Sequence, residues 1–95
     1  MGACSFSCMA EGSDAKEAFG KAVEDAQYEN GHGGYTGTIA EKGSFVMITC
    51  DDPNPHAFAD KLVDQGDPRI DDKWGPAGCI SLGDGKYLFF GWASS

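Results

Sequence analysis

A chain of 95 residues with 41% apolar side chains holds enough material for one core and too little to divide between two, so residues 1–95 are read as a single domain. Fifteen carboxylates against seven basic side chains give a formal charge of −8, which sets the surface against phosphate backbones and excludes direct nucleic-acid binding. No stretch approaches the roughly 20 apolar residues of a membrane span, and the start lacks the basic and apolar regions of a secretory signal, so a soluble cytoplasmic protein without membrane contact is expected.

The chain opens on an alternating pattern, with Cys4, Phe6 and Cys8 on one face and Ser5 and Ser7 on the other, which predicts a first strand over 2–10. Glu11-Gly12-Ser13 breaks it, and Ser13 reads as the N-cap of a helix over 14–28 whose first turn carries Asp14 and Glu17. Ala15, Ala18, Phe19, Ala22, Val23 and Ala26 make its apolar stripe, while Lys16, Glu17, Lys21, Glu24 and Asp25 face water. Asn30 and Gly31 suit a left-handed helix stop, and the glycines that follow allow a tight return into a strand. A phosphate cradle needs its glycines ahead of a helix, where free N–H groups point at the anion; here they come after one. Turn geometry is therefore the first reading of this loop, and a nucleotide-binding loop of Gly31, His32, Gly33, Gly34 and Tyr35 is the alternative. His32 has no partnered nucleophile nearby and reads as exposed or structural, whereas Tyr35, beside flexible glycines, is a plausible contact residue.

Residues 36–40 and 44–50 read as a hairpin joined by Glu41-Lys42-Gly43, and its second strand is apolar on both faces. Asn54 caps a second helix with Pro55 at its first position; Phe58, Ala59, Leu62 and Val63 form its buried stripe and Gly66 closes it. The connection over 67–77 holds Asp67, Arg69, Asp71, Asp72, Lys73 and Trp74 in a spacing unlike an EF-hand, with two cations already offsetting the carboxylates, so no metal is expected there. Trp74 has two readings, an aromatic anchor for a partner or a pin that folds back onto the core. Residues 78–82 and 86–92 then form a hairpin around Gly83-Asp84-Gly85, and its last strand, Lys86 to Trp92, carries large side chains on both faces.

The four cysteines, Cys4, Cys8, Cys50 and Cys79, fall in strand-like surroundings and read as reduced core thiols, with disulfides or a zinc site as alternatives. No Ser/His/Asp, Cys/His or metal-ligand signature is present, so neither catalysis nor a cofactor is expected. The element order, βαββαββ, predicts an α+β fold of the ferredoxin-like or split βαβ kind, with about five antiparallel strands and both helices on one face. Two helices on one side leave the other face uncovered, exposing several of Phe45, Met47, Tyr87 and Phe89 or their alternates. A patch of that size marks partner binding or a homodimer.

The stretches Gly-Tyr-Thr-Gly-Thr-Ile-Ala-Glu-Lys at 34–42 and Lys-Trp-Gly-Pro-Ala-Gly at 73–78 resemble segments of small phage and prophage proteins. The resemblance covers about a sixth of the chain and carries over no site. It implies an anti-defence role, such as an anti-CRISPR-like inhibitor that blocks a host immune effector from within the host cytoplasm. Together with the charge, it makes Asp67, Asp71, Asp72, Glu24, Asp25 and Glu29 the expected partner-binding carboxylates, with Trp74 and Tyr35 as anchors. A module that sequesters a nucleotide signal in loop 30–37 is the alternative.

Overall fold

The structure, a computed structural model, describes residues 3–30, 39, 42–50, 52–72 and 75–94. Among these, six elements follow in order: β1 (Ala3–Glu11), α1 (Ala15–Asn30), β2 (Phe45–Met47), α2 (Pro55–Gln65), β3 (Ala77–Gly83) and β4 (Lys86–Ser94). The strands form one sheet in the order β1-β4-β3-β2. β4 is antiparallel to β1 and to β3, and β2 is parallel to β3. The doubly apolar last strand is thus flanked on both sides, and Leu88, Phe89 and Phe90 are all fully buried.

The α+β class and the two helices agree with the sequence reading, while the arrangement departs from it in three respects. The described residues give four strands in a mixed sheet, in the order βαβαββ, rather than about five antiparallel strands in the order βαββαββ. The described part of the expected hairpin at 36–50 does not pair back on itself: Phe45–Met47 pairs with β3 instead, and the Lys42 N–H donates to the Ile39 carbonyl at 2.9 Å. The rest of the first hairpin strand lies outside the described residues.

The third departure concerns the helices, which lie on opposite faces. β1, β2 and β3 run in one direction, so α1 and α2 are each crossovers. The first travels from one edge of the sheet to the other and the second travels back by one strand. Crossovers of the same hand moving in opposite directions place their helices on opposite sides of the sheet. α1 accordingly packs Ala18 and Ala22 against Cys79 and Phe89, with Phe6, Cys8 and Tyr87 around them. On the far side α2 packs Ala59 and Leu62 against Ile80, Leu88 and Phe90, joined by Ile48 and Ile70. The apolar face expected to stay open is therefore covered. Phe89 is fully buried, Phe45 and Tyr87 are half-buried, and of that group only Met47, on the short β2, stays exposed.

Local chemistry explains where the helices begin and end. Asp14, one residue beyond the expected Ser13, caps α1: its Oδ1 accepts from the Glu17 N–H at 2.8 Å. Glu17 returns the bond by accepting from the Ser13 N–H at 3.0 Å, a reciprocal arrangement close to a capping box. The Ser13 N–H and the nearby Lys21 ammonium hold the Glu17 carboxyl below its usual range. In α2 the Asn54 Oδ1 accepts from the Ala57 N–H at 3.2 Å, and Gly66, at φ 66°, ends the helix in the left-handed region, as expected. Asp84 and Gly85, at φ 54° and 75°, make the two-residue turn between β3 and β4.

Lys42 is the one buried charged side chain among the described residues, at 4% exposure. Its Nζ donates to the carbonyls of Gly75 at 3.0 Å and Asp72 at 3.3 Å, tying the segment before β2 to the connection before β3. Burial pushes its ammonium pKa down, and the nearby Asp72 carboxylate works against that push.

The cysteines are free thiols, with Cys79 buried and Cys4 exposed. Burial pushes the thiols of Cys8 and Cys79 up to about 11. In the native protein at pH 8 we expect Cys4 to be alkylated readily and Cys79 only after unfolding, as read by mass spectrometry at low and high urea. Between pH 9 and 11 the unfolded chain gives up these two protons before the folded chain does, so this pair's contribution to stability falls as the pH rises through that window. The urea midpoint of Cys79→Ala should decline less over that range than that of the wild type.

Candidate functional site

Among the described residues nothing pairs with the outer side of β1, a nine-residue strand at one edge of the sheet. Its register against β4 runs unbroken from Ala3↔Ser94 to Glu11↔Lys86, and the Gly12 N–H extends it by donating to the Gly85 carbonyl at 2.9 Å. Antiparallel ladders alternate between residues bonded to the partner strand and residues whose N–H and C=O point away. Counting back from Gly12, the even residues Ala10, Cys8, Phe6 and Cys4 are the ones bonded to β4. The backbone of Ser5, Ser7, Met9 and Glu11 therefore points outward. The same residues have exposed side chains, with Met9 at 58%.

Natural edges are commonly blunted by Lys, Pro, a bulge or shortness. β1 has none of these: its sequence, ACSFSCMAE, carries no basic residue and no proline. Its one charge, Glu11, lies at the end opposite Lys86.

A cleft lies on each side of this strand. The one toward α1, about 260 Å³, is lined by the consecutive residues Phe6, Ser7, Cys8 and Met9, so it reaches around the outer edge; Asp25, Glu29, Ala22, Ala26 and Ile39 form its far wall. The one toward α2, about 340 Å³, is lined by Ser5, Phe6, Ser7 and Phe90 with Asp60, Val63 and Asp64 opposite. Each helix contributes two carboxylates spaced i, i+4, which places them on one side of the helix, and all four are exposed. Among the described residues no basic side chain lines either cleft, and none of the four carboxylates forms an ion pair. Backbone donors and acceptors framed by negative charge are suited to an extended, positively charged chain and ill suited to a phosphate.

Of the carboxylates expected from the sequence, Asp25 and Glu29 line the first cleft, and Glu24 is exposed on α1 outside it. Asp67 has a structural task. It accepts from Arg69 Nε at 3.0 Å, from its Nη2 at 2.8 Å and from its backbone N–H at 2.9 Å, and the guanidinium and N–H beside it hold its carboxyl down at about 2. Asp71 and Asp72 are exposed in the same connection and line neither cleft. Trp74 and the loop residues Gly31, His32, Gly33, Gly34 and Tyr35 lie outside the described residues. Asp60 and Asp64 went unnoticed in the sequence, although their i, i+4 repeat matches that of Asp25 and Glu29 and the unguarded composition of β1 was legible. Among the described residues no group of three or more His, Cys, Asp or Glu could hold a metal ion, and no helix is long and apolar enough to cross a membrane.

No family model matches the chain, and neither the curated proteins nor the solved structures give a significant match.

Proposed function

We propose that this chain is a small acidic protein-binding module that acts by occupying a basic surface of its partner. The observation that carries this reading is the pair of carboxylate-lined clefts, Asp25 with Glu29 and Asp60 with Asp64, on either side of β1, whose outer edge pairs with nothing among the described residues. The charge of −8 adds long-range attraction toward a basic partner and keeps copies of the chain apart. The partner class implied by the phage resemblance is a host immune effector with a basic nucleic-acid channel, which the module would block. The nucleotide-sequestering alternative rests on Gly31, His32, Gly33, Gly34 and Tyr35, which lie outside the described residues.

The test compares immobilised wild type with the quadruple variant Asp25→Asn, Glu29→Gln, Asp60→Asn, Asp64→Asn for binding to purified nucleic-acid-binding effectors over a salt series. We expect the variant, with unchanged circular dichroism, to bind at least about tenfold more weakly at low salt, and the wild type to converge on it as salt rises. Equal, salt-insensitive binding by both would refute the reading.

A further inference from the structure

We infer that β1 is a docking edge for an extended basic segment of the partner, which adds to the sheet as a fifth strand alongside β1 and brings a run of consecutive Lys or Arg residues between the two acidic clefts. This rests on the protein-binding reading and specifies its mode. An incoming strand would find the outward N–H and C=O groups of Ser5, Ser7 and Met9 already in extended geometry, so its backbone supplies the affinity common to strand addition. Specificity comes from side chains. Neighbouring residues of a strand point to opposite faces, so a continuous basic run sends alternate cations toward α1 and toward α2.

The spacing fits as well. Carboxylates at i and i+4 of a helix are separated by about 6 Å of rise, and side chains at i and i+2 of a strand by about 6.7 Å. Four consecutive basic residues thus present two cations to Asp25 and Glu29 and two to Asp60 and Asp64.

Charge also selects against the obvious competitor, a second copy of this chain. Pairing β1 with another β1 would bring all four carboxylates of each copy toward those of the other, with no described cation among the cleft walls to offset them. The same groups that attract a basic strand therefore take the place of the missing Lys or Pro guard on the edge.

The test uses a nine-residue peptide with Arg-Lys-Arg-Lys at its centre and Thr and Val at its ends, and a second peptide of the same sequence N-methylated at alternate backbone nitrogens on its pairing side. Binding is measured by calorimetry against the full chain and against Ser7→Pro. Proline at position 7 removes an N–H that points away from β4, so the ladder with β4 is kept, and edge strands tolerate proline in that orientation. We expect the unmodified peptide to bind the wild type, with backbone amide signals of Ser5, Ser7 and Met9 shifting in NMR spectra. Ser7→Pro, with circular dichroism and thermal midpoint close to wild type, should bind about tenfold more weakly, as should the methylated peptide. Equal binding of both peptides, or of both proteins, would overturn strand addition while leaving an acidic binding surface in place. No binding of either peptide would overturn both. A wild-type dimer in light scattering that Ser7→Pro converts to monomer would assign the edge to a second copy and overturn the inference. If Ser7→Pro does not fold, the methylated peptide on the wild type decides alone.

Discussion

Phe89→Ala is expected to destabilise the protein by about 3–5 kcal/mol, a large part of the total for a domain of this size, and to leave it partly unfolded at 37 °C. Phe89 is fully buried at the centre of the sheet, on the face that α1 covers. Its ring stands 5.6 Å from that of Phe19 on α1 and 5.8 Å from that of Phe45 on β2, both in edge-on geometry, and Phe19 and Phe45 stand 5.1 Å apart. Three elements distant in sequence are thus joined through one side chain. Truncation removes the buried area of the ring, its edge-on contacts, and the support for β2, which has only three paired residues of its own. The neighbours Ala18, Ala22 and Cys79 are small and already fully or nearly buried, so little can move in to fill the space. Urea unfolding followed by circular dichroism checks this; a loss below about 1 kcal/mol would mean that the three-ring cluster does not hold α1 and β2 to the sheet. Phe89→Leu, which keeps most of the volume, should cost far less.

The parts of this fold legible in the sequence are those set by local chemistry. Asn54 with Pro55, Gly66, and Asp84 with Gly85 each require a particular backbone geometry, and each is where the residues predict it. The apolar alternation of Lys86 to Trp92 marks a strand buried on both faces without saying what covers each face. The sequence reading supplied the cover from one side only, and so inferred a leftover surface. What decides the matter is the order of the strands. β2 lies beyond β3 and parallel to it, with β1 running the same way, and this makes the two helical connections crossovers of opposite direction. No local pattern encodes that placement. Lys42 illustrates the same limit: a lysine between Glu41 and Gly43 reads as a turn residue, and only the tertiary structure brings the carbonyls of Asp72 and Gly75, some 30 residues away, to its Nζ.

The candidate site was legible in halves. Asp25 and Glu29 stood out as part of an exposed charged helix face, and the Ser5 and Ser7 alternation marked one side of β1 as polar. Their adjacency, and the matching role of Asp60 and Asp64, depends on the two helices lying on opposite sides of the same edge strand. The sequence points to uncovered apolar side chains as the binding surface; among the described residues the structure offers instead the outward backbone of β1 and four exposed carboxylates without ion pairs.

Gly78→Ala tests the covering of the second face, and we expect it to cost about 1–3 kcal/mol although it adds a single methyl group. Gly78 lies opposite Phe90 in the β3–β4 ladder, and the phenyl ring crosses directly over its Cα. A Cβ built there would stand 2.7, 2.9 and 3.0 Å from three atoms of that ring, closer than carbon atoms can approach. The ring has little room to retreat, because Phe90 is fully buried in one cluster with Ala59 and Leu62 of α2 and with Ile70. Strain would therefore pass to α2 or to the ladder. For a chain of this length the loss corresponds to a thermal midpoint lowered by about 4–8 °C per kcal/mol. The second half of the experiment is Phe90→Leu, which removes the ring atoms nearest the new methyl group. Alone it should destabilise through lost volume, but in the Gly78→Ala background it should cost less, a coupling of about 1 kcal/mol or more in a double-mutant cycle. Strict additivity would place the strain elsewhere, and with it would fall the conclusion that Gly78 is required because Phe90 occupies the space its side chain would need.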